Sequence, residues 1–185
     1  METSDIQKYV SSSQNGDSDA FGKLYDAFIQ PIFRYMHFRV GPEEAEDLTE
    51  LVFLKTWENI RKYRSEEGNF SSWIFRIAHN LVVDHYRAKR QNAELTEDIP
   101  DVRIEANTLR RVHQKLDQEV LWKALHEAKD QYRQILILKF INGFSNEEIS
   151  LIMGRSQAAL RILQFRALRS LRRILENMGV SDVEQ

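Results

Sequence analysis

The sequence contains no cysteine and no long apolar run, and each absence excludes a class of protein. Without cysteine, the chain forms neither disulfide bonds nor thiolate metal sites, and it has no cysteine nucleophile. The longest aliphatic or aromatic runs, residues 51–54 and 135–138, are far too short to span a bilayer. The amino terminus lacks the basic start and apolar stretch of a signal peptide. These absences predict a soluble, cytoplasmic protein without a membrane span.

Helix-breaking residues are scarce as well, with only three prolines and seven glycines in 185 residues. Apolar residues recur at spacings of three and four, and the sequence shows neither alternating strand patterns nor hairpin turn pairs. An apolar content of 42% is enough to build cores at this length. The sequence therefore predicts an all-α fold of two small helical domains. We expect a polar leader at 1–19, a first domain at 20–90, an acidic linker at 91–116, a second domain at 117–176 and a tail at 177–185.

The leader and the linker are predicted to be irregular for different reasons. The leader contains the run SSSQNGDS, whose side chains bond readily to their own backbone, and it predicts a turn or loop. Residues 91–105 contain five acidic residues and one arginine, and Pro100 interrupts any helix there. This acidity either shields neighbouring basic surfaces or occupies a basic channel of a partner. Helical patterning resumes near Asn107.

Residues 143–173 predict a helix-turn-helix. Ser145 and Glu148 have the spacing of a capping box, in which hydroxyl and carboxylate satisfy backbone N–H groups of the first helical turn. Gly154 permits a left-handed turn, and Ser156 is placed to cap a second helix. Apolar residues at helical spacing on both helices would face one common core.

The second helix of this unit is strongly basic. Residues 155–173 include six arginines and no acidic residue, which suits a helix lying along a phosphate backbone. A merely solvated surface would normally mix acidic with basic residues to form pairs at helical spacing. We therefore favour DNA binding over the alternative, an ordinary helical hairpin with a solvated basic face. The arginines are Arg155, Arg161, Arg166, Arg169, Arg172 and Arg173.

Gly41 and Pro42 open a helix whose first turn is acidic, as the helix dipole favours. The apolar residues that follow, within 48–57, spread around more than one helical face. One face can therefore pack inward while another stays apolar beside acidic groups, which suggests a protein partner. Periodicity alone gives equal weight to the alternative that all of these side chains are buried between neighbouring helices.

Residues 70–90 predict a helix with a polar stripe opposite its apolar face. Asparagine meets base edges with both donor and acceptor, arginine pairs with guanine or phosphate, and nearby aromatic residues stack on unpaired bases. Single-stranded or melted nucleic acid is the ligand that such a stripe fits. The alternative, an ordinary solvated helix face, is somewhat favoured by the residues alone. The stripe comprises Arg76, Asn80, Asp84 and Arg87.

The histidines do not suggest catalysis. None of the five has metal-ligand spacing, and His79 and His85, six residues apart, do not share a helical face. Asp84 and the adjacent His85 are better interpreted as ordinary polar residues on a helix surface than as a pair for acid-base catalysis. We expect that the protein is not an enzyme and that it binds neither a metal ion nor a cofactor.

Several motifs together resemble one bacterial family. In the first half these are GDSDAFGKLYDAF from Gly16, AEDLTELVFLKTW from Ala45 and FSSWIFRIAHNLVVDHYRAKR from Phe70. In the second half they are GFSNEEISLIMGRS from Gly143 and ALRILQFRALRSLRR from Ala159. The sequence is similar to sigma factors of the extracytoplasmic-function group, the minimal kind that holds only the domains called region 2 and region 4.

The resemblance implies a function for region 2. The chain would bind core RNA polymerase, recruit it to promoters and help to melt them. The helix at 45–57 would dock on a coiled coil of the largest polymerase subunit, and the helix at 73–90 would read the −10 element. The loop at 62–69 is where the family captures a flipped base. The implied polymerase contacts are Asp47, Glu50, Phe53 and Trp57, and the implied −10 contacts are Arg76, Asn80, Asp84 and Arg87.

For region 4, the resemblance implies a recognition helix in the major groove of the −35 element. This sequence has Ala159, Ile162 and Leu163 where family members often have Thr, Ser and Arg, which indicates a subclass with its own promoter preference. An inhibitory anti-sigma factor is an expected partner. The runner-up hypothesis is a stand-alone helix-turn-helix regulator whose amino-terminal half senses a signal. The implied −35 contacts are Arg155, Ser156, Gln157, Arg161, Gln164 and Arg166.

Overall fold

The computed structural model describes residues 3–93 and 112–180, and over these two ranges the chain is helical without a strand. The prediction of an all-α fold is confirmed. The acidic residues of the linker and the helix start near Asn107 lie outside the described residues. Within the two ranges, every helix is too short or too polar to cross a membrane.

The described chain forms eight α-helices joined mainly by short turns. Two 3-10 turns, Ile60–Lys62 and Ser65–Glu67, connect α3 to α4, and a π-helical segment, Ile137–Ile141, continues α6. The helices are α1 (Thr3–Gln14), α2 (Ser18–Val40), α3 (Pro42–Asn59), α4 (Phe70–Ala93), α5 (Val112–Glu127), α6 (Asp130–Leu136), α7 (Asn146–Met153) and α8 (Gln157–Asn177).

Helix α1 corrects the prediction that the SSSQNGDS run of the leader is a turn or loop, because the helix extends to Gln14. The serines bond back into the helix, since Ser11 Oγ donates to the carbonyl of Gln7 and Ser13 Oγ to that of Tyr9. Val10 is fully buried in the core of the first domain. Burial of one apolar stripe therefore outweighs the weak helix propensity of the serines.

The first domain is formed by α1 to α4. Helix α2 buries Leu24, Phe28, Ile32 and Met36 along one face, the spacing that an amphipathic helix requires. Pro31 lies inside α2, which continues through it to Val40. Aromatic rings join α2 to α4, as in the edge-to-face contact of Phe28 with Phe70 at 5.4 Å between centroids.

The second domain contains the predicted helix-turn-helix. Ser145 Oγ accepts from the Glu148 N–H, and the Glu148 carboxylate accepts from the Ser145 N–H, so the capping box is confirmed. Gly154 adopts the left-handed conformation with φ of 62°. The inward residues of α7 and α8 share a core, confirming the two-helix unit. These buried residues are Ile149, Ile152, Leu160, Leu163 and Ala167.

The two domains pack against each other. Phe75 of α4 contacts Phe144, which precedes α7, at 4.6 Å between ring centroids. Arg39 at the end of α2 pairs with Asp130 at the start of α6, with 2.8 Å between guanidinium nitrogen and carboxylate oxygen. The buried residues of both domains form one continuous hydrophobic cluster. This packing places α7 against α4.

Candidate nucleic-acid and protein interfaces

The outer face of α8 is open to solvent. The Ser156 hydroxyl caps the helix by accepting from the Ala159 N–H at 3.3 Å, and the buried side of α8 fixes its rotation. Gln164 is different, because it is half-buried and its side-chain amide donates to Asn146 Oδ1 at 2.8 Å. The remaining residues predicted to contact the −35 element are all exposed, namely Arg155, Ser156, Gln157, Arg161 and Arg166.

Large apolar side chains lie on the same outer face of α8. Ile162 is 56% exposed, Phe165 is 67% exposed and Leu168 is 46% exposed. The −35 contacts predicted from the sequence are all polar, so the predicted set includes none of these three side chains. Helical spacing places Ile162 and Phe165 opposite the stripe of inward-facing residues on the same helix.

Helix α3 presents an apolar and acidic strip, but only part of the predicted set is accessible. Asp47 and Glu50 are exposed, and Trp57 is 39% exposed with its ring against Phe21 at 4.8 Å. Phe53 is only 5% exposed, so the structure corrects its assignment as a surface contact and places it in the core. Leu54, which is 53% exposed, is the apolar residue that the sequence-based set missed.

The polar stripe of α4 changes character along the helix. Asn80, Asp84 and Arg87 are exposed, and Asp84 and Arg87 form a long surface pair at 3.7 Å. Arg76, one turn closer to the start of α4, is half-buried. Near the end of α4, a cavity of about 490 Å³ opens between the two domains. Its basic lining consists of Arg39, Arg87, Arg90 and Arg133.

The loop before α4 and helix α7 together line a small pocket. Tyr63, Gly68, Trp73 and Arg76 line it from the first domain, and Leu151 of α7 lines it from the second. A methyl group added at Gly68 would lie 2.6 Å from Leu151 Cδ1, so the two domains touch closely here. The pocket leaves no space for a water molecule. This is the loop that the resemblance associates with a flipped base.

Glu148 links the capping of α7 to the domain interface. Asn69 Nδ2 donates to Glu148 Oε1 at 2.8 Å, while Glu148 Oε2 accepts from the Ser145 N–H. Partial burial raises the pKa of the Glu148 carboxyl, but these hydrogen bonds outweigh burial and hold the pKa below its usual value. The carboxylate therefore remains ionised in the packed arrangement.

Two interface histidines remain neutral because they are shielded from water. Burial lowers the pKa of His79 to about 4, and its Nδ1 lies 2.6 Å from Gln134 Nε2 of the second domain. The amide is the donor in this bond, so His79 Nδ1 accepts and carries no proton. Burial also lowers the pKa of His126 to about 4, and its ring stacks on Trp122 at 3.8 Å.

Comparison with protein families identifies both halves of the chain. Residues 24–92 match the family model for Sigma-70 region 2. Residues 118–171 match the model for Sigma-70, region 4. The first match covers α3, α4 and most of α2, and the second covers the helix-turn-helix. The two candidate DNA surfaces therefore fall in separate matched regions.

Individual relatives extend the match along the chain. The ECF RNA polymerase sigma factor BldN of Streptomyces coelicolor is 34% identical over 173 residues, which cover 92% of this chain and 66% of BldN. The ECF RNA polymerase sigma factor SigM of Bacillus subtilis is 26% identical over 161 residues, which cover 86% of this chain and 97% of SigM.

A solved structure has the same fold. The sigma factor RpoE of Bartonella quintana, crystallised in complex with the anti-sigma factor NepR, superposes with a TM-score of 0.73 at 21% identity. The alignment covers 88% of this chain and 98% of RpoE. At that identity, the likeness establishes the helical architecture.

Proposed function

The chain belongs to the extracytoplasmic-function group of the sigma-70 family, and from this premise we propose that it binds core RNA polymerase and directs it to promoters. Sigma factors are non-catalytic initiation factors, so its role is recognition and not turnover. The observation that carries the proposal is the presence of two separate candidate nucleic-acid surfaces, one on α4 and one on α8, in a chain that also exposes an apolar and acidic strip on α3.

We assign polymerase binding to α3. Asp47, Glu50, Leu54 and Trp57 supply exposed acidic and apolar groups on one helix, the composition that favours a protein partner with apolar and basic side chains. A coiled coil of the largest polymerase subunit is the proposed docking site. Phe53 supports this strip from beneath by packing on Tyr25 at 4.5 Å.

We assign the −10 element to α4 and the preceding loop, and the −35 element to α8. The exposed α4 stripe is suited to unpaired bases, which offer both edges and faces. The exposed arginines of α8 are suited to duplex phosphates and base edges in the major groove. We also propose that an anti-sigma factor inhibits the protein by covering these surfaces. The protein would act in the cytoplasm, where the polymerase transcribes.

Binding to core polymerase tests the proposed function. The purified full chain should co-elute with bacterial core polymerase lacking other sigma factors, at moderate salt that screens non-specific attraction. The Trp57→Ala variant should weaken the complex by about tenfold or more, the loss typical of an interface aromatic. Phe33→Ala is the matched control, because Phe33 on α2 is 38% exposed against 39% for Trp57.

The alternative function predicts a different pattern. A stand-alone regulator would bind duplex DNA without polymerase and would be indifferent to changes in the α4 stripe. Wild-type protein that binds duplex DNA but forms no complex with core polymerase would therefore refute the sigma assignment. Promoter melting that survives Asn80→Ala, with −35 binding intact, would argue against a role for the α4 stripe.

A further inference from the structure

The outermost face of α8 is apolar at its centre. Successive helical residues are rotated by about 100°, so the side opposite the buried Leu163 and Ala167 carries Ile162 and Phe165. Phe165, at 67% exposure, is the most exposed large apolar side chain among residues 4–91 and 119–180. Large apolar groups in this position need a partner surface that is itself apolar.

The surroundings of this strip restrict what that surface can be. Arginines flank it, and residues 155–173 contain no acidic residue. The complementary surface must therefore be anionic at its edges and apolar at its centre. The DNA major groove has this form, because phosphates line both walls and thymine methyl groups project from the floor.

The amino-terminal end of α8 favours the same geometry. Ala158 and Ala159 are small and exposed, so the first turn can approach base edges closely. Gln164, in contrast, has its amide nitrogen held by Asn146. The outer face therefore offers side-chain apolar carbon near its centre, between the arginines that would hold the phosphates.

Building on the proposed recognition of duplex DNA by α8, we propose that Ile162 and Phe165 determine specificity by contacting thymine methyl groups in the upstream promoter element. The element recognised by this sigma factor would then contain thymine at the positions that face the two side chains.

The size of the effect follows from burying one methyl group. Removing a buried methyl from the interface should weaken binding by about fourfold at each contacted thymine. Uracil lacks only that methyl and keeps every hydrogen-bonding group of thymine. Replacing thymine by uracil therefore isolates the proposed contact from all polar recognition.

The experiment uses holoenzyme reconstituted from the full chain and core polymerase. A randomised duplex library yields the preferred upstream element, and each thymine in it is then replaced by uracil in turn. Wild-type holoenzyme should lose about fourfold in affinity at one or two positions. Ile162→Ser and Phe165→Ala should each abolish the thymine preference at one position, and Ile162→Val should retain it.

The controls keep the outcome unambiguous. Arg166→Ala should weaken thymine and uracil duplexes equally, because a phosphate contact does not distinguish the two bases. The thymine-to-uracil ratio is measured within one preparation, so a lower folded fraction of a variant affects both duplexes alike. The ratio therefore remains readable even for a destabilised variant.

Three results would overturn the inference. Equal affinity for thymine and uracil at every position would exclude methyl contacts while leaving promoter recognition intact. Weaker polymerase binding by Phe165→Ala, with the thymine preference unchanged, would make the strip a protein contact. Failure of the holoenzyme to select any upstream element would refute recognition by α8 itself, and the inference with it.

Discussion

The two candidate DNA surfaces differ in how far the rest of the chain covers them. Helix α8 projects its arginines and its apolar strip into solvent. Helix α4 exposes Asn80 and Arg87, but Leu151 of the second domain packs against Gly68 in the loop before it. Duplex DNA could therefore reach α8 without rearrangement, whereas a flipped base could reach the loop only after the domains separate.

Contacts between the domains thus control one surface and not the other. Arg39 with Asp130, His79 with Gln134, and Asn69 with Glu148 all join the first domain to the second. Changes at these contacts should alter access to the α4 surface and leave duplex binding by α8 unchanged. Four perturbations of the interface between the domains are described below, from the largest expected effect to the smallest.

Removing the carboxylate of Asp130 should have the largest effect. The Arg39 side chain is fully buried, and Asp130→Ala leaves its guanidinium without the partner at 2.8 Å, whereas domain separation would hydrate it. A hydrogen bond to a charged group contributes about 1.5–3 kcal/mol. The ratio of separated to packed protein should therefore rise by about tenfold to a hundredfold. Small-angle X-ray scattering should report a larger radius of gyration.

Asp84→Ala is the matched control for this change. Asp84 is similarly exposed, at 68% against 56% for Asp130, but it pairs with Arg87 on the same helix. It should leave the scattering profile unchanged. An identical profile for Asp130→Ala and wild type would show that this ion pair does not hold the domains together.

Acid should produce the next largest effect through His79. Its pKa is about 4 in the packed form and 6.5 ordinarily, so the packed form is fully favoured above pH 6.5 and weakens as pH falls towards 4. At pH about 5.5, the ratio of separated to packed protein should exceed its value at neutral pH by up to about tenfold. Scattering measured across this range should reveal the shift, and His79→Asn should reduce it.

Other titrating or charged groups set the baseline for that experiment. Arg39, Asp130 and Arg155 also act on the pKa of His79. His126 shares the lowered pKa and remains in the His79→Asn variant. If the pH response is equal in wild type and His79→Asn, then His126 and not His79 is responsible for it.

Truncating Leu151 should have a smaller effect, directed at the loop pocket. Leu151→Ala removes apolar carbon from contact with Gly68 and its neighbours, but the side chain is already 39% exposed. Losing about 1 kcal/mol of burial corresponds to about fivefold tighter binding of a single-stranded oligonucleotide, measured by fluorescence anisotropy. Leu168→Ala, from an exposed position on α8, should not improve this binding.

The smallest effect is expected at Asn69. Asn69→Asp keeps the oxygen that accepts from the Ser72 N–H, so the start of α4 remains capped, but it places a carboxylate against Glu148. Repulsion between this carboxylate and that of the half-buried Glu148 should favour separation by about twofold. High salt should abolish the difference from wild type, and an effect that persists in high salt would point to the lost hydrogen bond instead.

The sequence predicts those parts of the fold that depend on neighbouring residues. The bonds between Ser145 and Glu148 span three residues, and Gly154 and Ser156 act on the turns in which they lie. Local backbone chemistry decides each of these features, so a sequence motif suffices to identify them. All of them appear in the structure as predicted.

The remainder depends on which faces meet, and periodicity does not determine that. Asn69 and Glu148 are 79 residues apart, and no sequence motif predicts the hydrogen bond between them. Gln164 has the spacing of a DNA contact, yet its amide donates to Asn146. Helix α1 was missed because tertiary burial of Val10, and not local propensity, decides its conformation.

The aromatic contact between Phe75 and Phe144 gives the domain arrangement a dependence on temperature. Both rings are buried in the cluster shared by the two domains, so separation transfers apolar surface into water. Such a process has a positive heat-capacity change, and the apolar attraction that opposes it weakens on cooling. At low temperature the packed arrangement therefore depends more on the polar contacts between the domains, such as that of Arg39 with Asp130.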